Sequence, residues 1–238
     1  MPLLRSTLKN YIQKLKATSI RTAERDALTL LAFGLDLSTT DVLLNQDKFI
    51  SDKDLLKLNV LINRRAMHEP VSKILKKRFF WDSIFYVDKT VLDPRPETEL
   101  LVQSVIENLG QSNHILDLGT GSGCIAISLA STFNQVRVIG SDISNSALKI
   151  AKKNAKLNNA KVTFIQSDWF QNIDIKFDII VSNPPYISQD DFLNLPDDVR
   201  NFDPKVALFG GADGLDCYRK IAFSISPYLN TGGRGFFE

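Results

Sequence analysis

The segment Asn183 to Tyr186, Asn-Pro-Pro-Tyr, follows the apolar run FDIIVS and offers groups that can hold a planar nitrogen. An amide or exocyclic amine nitrogen has a delocalised lone pair, so it attacks an electrophilic carbon only when it is held in line with it. The side-chain oxygen of Asn183 and the backbone carbonyl of Pro184 can accept its two hydrogens. Pro184 and Pro185 stiffen the loop, and the ring of Tyr186 can cover a flat substrate group. We therefore predict catalytic roles for Asn183, Pro184 and Tyr186, and substrate binding by the same residues and Pro185.

A glycine-rich segment, Gly119 to Gly123, lies between the short strand ILDL and a predicted helix, CIAISLAST. Glycines permit a tight turn and close approach of a ligand, and the helix start offers free N–H groups. The G-x-G-x-G spacing differs from the G-x-G-x-x-G of dinucleotide binders and favours a methionine carboxylate over a pyrophosphate.

The next two predicted strands also end in polar or aromatic residues. VRVIGSD ends at Asp142, suited to ribose hydroxyls, and KVTFIQSDWF ends in Asp168-Trp169, suited to an adenine. Ligands of open α/β sheets bind at such strand ends. We predict that S-adenosylmethionine is the cofactor, with S-adenosylhomocysteine as the product, and that no metal is needed. The predicted cofactor-binding residues are Gly119, Thr120, Gly121, Ser122, Gly123, Asp142, Trp169 and Asn183.

Each signal has a structural alternative when it is taken alone. The Asn-Pro-Pro sequence also marks turns, Asp142 could begin a helix, and Trp169 could belong to the core. Their order along successive strands favours an enzyme that transfers a methyl group to a planar nitrogen.

Composition narrows the class of protein. The chain has 238 residues, of which 44% are hydrophobic and 24% charged, and its net charge is +2. A general nucleic-acid binder is usually more basic, and no apolar run reaches transmembrane length. Cys124 and Cys217 lack metal-ligand spacing and indicate buried thiols in a reducing compartment, the cytoplasm. Residues 1–22 are basic and rich in Ser and Thr, as organelle transit peptides are, but Leu8, Ile12 and Leu15 have helical spacing and favour a surface helix.

The pattern of elements divides the chain. Residues 1–75 predict helices alone, with starts near Arg21, Ser38 or Thr39, and Ser51. Residues 76–93 predict a β-hairpin linker. Residues 94–238 alternate strand and helix, which predicts an α/β fold with a parallel sheet.

The chain resembles the release factor glutamine methyltransferases, the HemK/PrmC family, over essentially its whole length. The residues that carry the resemblance are His68-Glu69-Pro70, Phe80-Trp81, PRPETE at 94–99, DLGTGSG, SDWF at 167–170, NPPYI and ALFGGADGLDCYRKI at 207–221. The resemblance implies a Rossmann-like class I methyltransferase domain, joined through the hairpin to an N-terminal helical bundle that grips the substrate. It also implies methylation of the side-chain amide nitrogen (N5) of the glutamine in the GGQ motif of class 1 release factors, with no membrane or nucleic-acid partner.

The sequence departs from the family pattern at several positions. Lys76 stands where the family usually has a glycine, and Phe79 stands where it usually has an acid. Asp93 replaces an apolar residue, and Asp203 replaces a glutamate. The family continues beyond GGRGFFE through the rest of a strand, a helix and an antiparallel final strand. The resemblance therefore implies a C-terminally shortened sheet, in which a strand beginning near Gly232 leaves an exposed apolar edge at Phe236 and Phe237 and lowers stability and activity.

Two other functions stay open from the sequence. A nucleic-acid amino-methyltransferase would use the same NPPY segment and could contact phosphates through Lys73, Lys76, Lys77 and Arg78. A truncated homologue could retain the cofactor site without turnover.

Overall fold

The computed structural model describes residues 1–133 and 135–238, which form two compact units, Met1–Leu75 and Lys76–Glu238. The first unit is helical. Its helices are α1 (Leu4–Ala17), α2 (Ala23–Leu35), α3 (Thr39–Leu44), α4 (Asp52–Ala66) and α5 (Val71–Leu75). The predicted helical character of residues 1–75 is confirmed, with α5 as an additional short helix.

Two helices of the first unit begin at the expected serines. The Ser38 side chain accepts a hydrogen bond from the Asp41 N–H, and the Asp41 carboxylate accepts one from the Ser38 N–H, which forms a capping box at the start of α3. The Ser51 side chain accepts from the Asp54 N–H at the start of α4. These side chains satisfy N–H groups that a helix start would leave unpaired.

A buried ion pair lies inside this helical unit. Arg65 on α4 contacts Asp26 on α2 at 2.9 Å, and both side chains are less than 10% exposed. The Thr22 hydroxyl donates to the same Asp26 oxygen at 2.6 Å. The inner faces of these helices are lined by fully buried apolar residues, among them Leu30, Leu31 and Leu58.

The second unit contains a two-stranded and a five-stranded sheet. Its strands are β1 (Arg78–Phe80), β2 (Ser83–Phe85), β3 (His114–Leu118), β4 (Arg137–Asp142), β5 (Val162–Gln166), β6 (Phe177–Ser182) and β7 (Leu229–Phe237). Its α-helices are α6 (Thr98–Glu107), α7 (Cys124–Thr132), α8 (Asn145–Leu157), α9 (Gln189–Leu193), α10 (Asp197–Arg200) and α11 (Asp216–Ser224).

The large sheet has the order β5-β4-β3-β6-β7, and all of its pairs are parallel. Alternate side chains of β3 serve two cores: Ile115 packs with α6 and α7 on one face, and Leu116 and Leu118 pack with β4, β6 and α11 on the other. A parallel sheet covered on both faces confirms the predicted α/β class.

The predicted hairpin is present as β1 and β2, an antiparallel pair. Its residues Phe80 and Phe85 are buried in the core of the second unit. The Trp81 N–H donates to Glu99 at 2.9 Å, and Arg78 donates to the Pro94 carbonyl at 2.9 Å. The hairpin is thus attached to the segment that leads into α6.

The last strand differs in two respects from the expectation. It begins at Leu229 rather than near Gly232, although its regular pairing with β6 resumes only where Arg234 lies opposite Ile179. Phe237 is 39% exposed, whereas Phe236 is partly buried against the main core. The expected edge therefore exposes one phenylalanine rather than two, because alternate side chains of a strand face opposite sides.

Among residues 1–133 and 135–238, no helix is both long enough and apolar enough to cross a bilayer.

Candidate active site

The strand order of the large sheet changes direction at β3 and β6, and the glycine loop and Asn183 lie at this switch point. β3, β4 and β5 follow one another across one half of the sheet, and β6 then returns to the other side of β3. The Ser182 hydroxyl donates to the Leu118 carbonyl at 2.7 Å, which fixes the end of β6 beside the end of β3. Asn183 and Gly119 each follow one of these paired residues. A crevice at such a switch point is the usual ligand site of open α/β sheets.

The glycine loop has the backbone form that its sequence predicts. Gly119, Gly121 and Gly123 have φ values of 72°, 54° and 82°, a region that residues with a Cβ rarely adopt. A Cβ on Gly123 would lie 3.1 Å from the Cβ of Ala151, so the loop also packs tightly against α8. A Cβ on Gly119 would meet open space, so that side of the loop is accessible to a ligand.

Asp117 supports the loop from beneath. Its Oδ2 atom accepts hydrogen bonds from the Thr120 hydroxyl at 2.6 Å and from the Ala126 N–H at 3.2 Å. Its Oδ1 atom is buried and has no hydrogen-bond partner among the described residues. Burial raises the pKa of Asp117 from 3.8 to about 7, since a carboxylate without full hydrogen bonding is costly away from water.

This raised pKa predicts a pH dependence of stability. The folded protein holds the Asp117 proton between pH 3.8 and about 7, whereas the unfolded chain releases it. The resulting stabilisation is complete below pH 4 and is lost as the pH rises to about 7. Relative to Asp117→Asn, the wild type should lose roughly 2–3 kcal/mol between pH 5 and pH 8. Urea unfolding of both proteins at the two pH values measures this difference, and parallel pH curves would exclude Asp117 as the source.

Asp142, at the end of β4, forms hydrogen bonds both to the glycine loop and to the residues that begin α8. Its Oδ2 accepts from the Gly121 N–H at 2.9 Å, and its Oδ1 accepts from the Ser144 N–H at 2.8 Å. The residue that caps α8 is Ser144, whose side chain accepts from Ala147. Asp142 is therefore not the cap itself, and its partly exposed carboxylate remains beside the glycine loop. Burial raises its pKa.

Asn183 and Tyr186 line one cavity of about 260 Å³. The Asn183 Nδ2 donates to the Thr98 hydroxyl at 3.1 Å. Within the described part of the chain, neither the Asn183 Oδ1 nor the Pro184 carbonyl accepts a hydrogen bond. Burial raises the pKa of the Tyr186 phenol, so this residue remains neutral at physiological pH. The Asn183 oxygen is thus available to a substrate donor in the cavity, and the Pro184 carbonyl has no competing donor among the described residues.

A second segment holds the NPPY loop from outside. Ile187 and Leu208 are joined by an N–H to carbonyl hydrogen bond of 2.9 Å, and the Gly210 N–H donates to the Ile187 carbonyl at 2.9 Å. A Cβ on Gly210 would lie 2.7 Å from the Pro185 carbonyl oxygen. Only glycine permits this approach, which gives a physical reason for ALFGG in the sequence.

Several cavity residues were not among the predicted site residues. Leu92, Arg95 and Glu97 come from the segment around PRPETE, and Glu238 comes from the end of β7. Other apolar lining residues are Leu195, Val199, Ala207 and Leu208. The PRPETE motif was a signal for the first group, whereas nothing local in the sequence places Leu195, Val199 or Glu238 beside Asn183.

Trp169 occupies a different environment. It is partly buried against Leu116, Leu118 and neighbouring core residues. Its φ is 50°, and it lines a hollow of about 410 Å³ with Asp168, Phe223 and Tyr228. The Ser167 N–H donates to the Asp142 carbonyl at 3.0 Å, which connects this strand end to Asp142. Adenine binding by Trp169 stays a prediction.

The basic cluster considered as a phosphate contact is not a set of four exposed cations. Lys73 is only 3% exposed. Arg78 donates to the Pro94 carbonyl and lies 3.8 Å from the Asp93 carboxylate. Only Lys76 and Lys77 of the four are exposed, which weakens the phosphate contact that the nucleic-acid alternative requires.

Two of the unusual residues lie together. The Asp93 N–H donates to the Asp203 carboxylate at 3.3 Å, and Arg95 contacts Asp203 at 2.8 Å. Both aspartates are buried. The two substitutions therefore occupy one cluster that supports the cavity residue Arg95.

The fold and two parts of the sequence match known proteins. Residues 6–75 match the PrmC N-terminal domain and residues 89–195 the Methyltransferase small domain. A methyltransferase from Pyrococcus furiosus has a similar fold, with a TM-score of 0.50 and 21% identity over 74% of this chain and 77% of that chain.

Curated relatives match over most of the chain. The release factor glutamine methyltransferase of Geobacter sulfurreducens is 38% identical over 90% of this chain and 76% of its own length. The proteins of that name from Agrobacterium fabrum and Haemophilus influenzae are 40% and 42% identical, over 93% and 87% of this chain and 79% and 76% of their own lengths. This chain belongs to the release factor glutamine methyltransferase family.

Proposed function

We propose that this protein transfers a methyl group from S-adenosylmethionine to the side-chain amide nitrogen of the glutamine in the GGQ motif of class 1 release factors. The observation that carries the proposal is a pair of neighbouring oxygens, Asn183 Oδ1 and the Pro184 carbonyl, which accept no hydrogen bond among the described residues. Asn183 lines the cavity, and the residue before it, Ser182, is bonded to the end of β3, where the glycine loop begins. A primary amide is a donor of two hydrogens from one nitrogen, which two such acceptors can hold together.

The residues at the glycine loop fit the proposed cofactor. S-adenosylmethionine supplies the methyl group as a sulfonium cation with an ammonium, a carboxylate and an adenosine. The open side of Gly119 leaves space for close approach, and the unpaired Asp117 Oδ1 is a buried acceptor beneath the loop. Asp142 offers a carboxylate to the ribose hydroxyls. Trp169 is our candidate for the adenine.

Asn183 and Pro184 would act on the acceptor nitrogen. By accepting both of its hydrogens they orient the nitrogen and increase its electron density as positive charge develops on it. Tyr186, which is 49% exposed, would cover the flat face of the amide and favour a nearby cation. The excess proton leaves the nitrogen after transfer, so orientation rather than a strong base provides the rate enhancement.

The N-terminal helical unit is our candidate for gripping the release factor. Residues 6–75 match the PrmC N-terminal domain, and several of their apolar side chains are exposed, among them Leu44, Phe49 and Leu56. Scattered exposed apolar residues are common on folded proteins, so this part of the proposal rests mainly on the family.

The test uses labelled S-adenosylmethionine with an intact release factor and with a release factor in which the GGQ glutamine is changed to glutamate. We expect labelling of the first and none of the second, because a carboxylate has no nitrogen to methylate. A release factor with glutamine changed elsewhere is the matched control and should be labelled normally. Labelling that survives the GGQ change, or that appears on RNA at physiological salt, would refute the proposed substrate.

A further inference from the structure

Thr98 is the first residue of α6, and its side chain is 3% exposed. Its hydroxyl oxygen lies 3.1 Å from the Asn183 Nδ2. We propose that Thr98 is a positioning residue, which fixes the side-chain amide of Asn183 with its oxygen facing the acceptor cavity. The inference deepens the proposed function and rests on it, since it assigns the Asn183 oxygen to the methyl acceptor.

The direction of the hydrogen bond between Asn183 and Thr98 follows from the two atoms that meet, because the Asn183 Nδ2 can only donate and the Thr98 oxygen can accept. The Glu238 carboxyl is partly buried and lines the same cavity. Burial raises its pKa, and its Oε2 atom is buried without a hydrogen-bond partner among the described residues. A hydroxyl has one hydrogen to donate. Because the Thr98 oxygen accepts from Asn183, this hydrogen is left for a second acceptor, and the Glu238 carboxyl at the cavity wall is the one that we assign to it.

The contact with Thr98 sets the orientation of the amide. An asparagine amide can rotate so that its oxygen and nitrogen exchange places. With Thr98 as the acceptor, the NH₂ group must face Thr98, and Oδ1 must face the cavity. The rotated form would direct two N–H groups at a substrate amine or amide that itself donates, which is repulsive.

Glu238 is held in place by its own backbone. Its N–H donates to the Ser182 carbonyl at 3.3 Å, and its carbonyl accepts a hydrogen bond from the Tyr218 hydroxyl. Ser182 in turn precedes Asn183 in the chain. Three elements thus hold the three side chains: Glu238 follows β7, Thr98 begins α6, and Asn183 follows β6.

Variants at Thr98 separate the hydroxyl from the shape of the side chain. Thr98→Val keeps the volume and removes the hydroxyl, whereas Thr98→Ser keeps the hydroxyl and removes a methyl group. We expect Thr98→Val to lower kcat roughly tenfold, with the KM for release factor and the Kd for cofactor within about threefold. Thr98→Ser should restore kcat to within about threefold of the wild type. The matched control is Ser128→Ala, which removes a buried hydroxyl from a different helix, α7. This variant should be fully active.

The same change in an Asn183→Ala background gives the decisive comparison. Without an amide to orient, Thr98→Val should change kcat less than about twofold. An equal loss in both backgrounds, or a loss in Thr98→Ser as large as in Thr98→Val, would overturn the proposal and leave Thr98 a stabilising residue at the helix start.

A measurement without substrate distinguishes this inference from the proposed function. The side-chain amide signals of Asn183 in a ¹⁵N–¹H spectrum, assigned by their loss in Asn183→Ala, should shift and broaden in Thr98→Val and stay near their wild-type positions in Thr98→Ser. Unchanged signals in Thr98→Val would refute the positioning role even if release factor is methylated. Failure of the wild type to methylate release factor, with the expected spectra, would refute only the proposed substrate.

Discussion

Asn183→Ala should lower kcat by roughly 100- to 1,000-fold, because it removes one of two acceptors that orient and polarise the reacting nitrogen. Cofactor affinity should stay within about threefold, since the other predicted cofactor residues, in the glycine loop and at Asp142 and Trp169, are unchanged. Steady-state labelling of release factor gives kcat and KM, and calorimetry gives the cofactor Kd.

The matched control for that variant is Asn158→Ala. Asn158 follows α8, and its side chain donates to the Ile84 carbonyl, so the change removes an asparagine amide away from the cavity. It should keep normal kcat. Near-normal methylation by Asn183→Ala itself would remove Asn183 from the mechanism.

Asp142→Ala should weaken the binding of S-adenosylmethionine by roughly 10- to 100-fold, which corresponds to the loss of charge-assisted hydrogen bonds to a ribose. The same change also frees the Gly121 N–H, which donates to Asp142 at 2.9 Å, so the loop loses part of its support. Calorimetric titration of the folded variant measures the affinity.

Two comparisons separate these effects at Asp142. Asp142→Asn keeps an oxygen for Gly121 and should bind cofactor better than Asp142→Ala. Ser144→Ala removes the cap of α8 and should lower stability by about 1 kcal/mol without a change in cofactor affinity. Equal cofactor affinities for the wild type and Asp142→Ala would assign Asp142 a purely structural role.

Local sequence patterns were sufficient to predict the strands and the loops at their ends. β3 and β6 are short apolar runs, and each is followed at once by residues with special backbone needs, glycines in one case and prolines in the other. The predicted helix CIAISLAST coincides with α7. Because the carboxyl ends of parallel strands share one edge of the sheet, strand assignment was enough to gather Asp142, the glycine loop and Asn183.

The cavity walls could not be predicted in the same way. Leu195, Val199 and Glu238 are distant from Asn183 in sequence or lie in segments without a periodic pattern, so only tertiary packing places them there. Thr98 was visible within PRPETE, but the motif does not reveal which side chain reaches Asn183. The environment of Trp169 was also not readable from SDWF, since a core position and a ligand position both favour an aromatic ring.

The two halves of the site should also differ in local unfolding free energy, as a result of the strand order. The glycine loop follows β3, which has a strand on each side, whereas Glu238 follows β7, which pairs with β6 alone among the described strands. Amide hydrogens on a glycine-containing edge strand exchange through local unfolding that costs less free energy than the unfolding of a central strand. The cofactor half can thus remain formed while the cavity wall that Glu238 contributes opens and closes. Hydrogen exchange would register this as strong protection at Leu116 and weak protection at Phe237, within one active site.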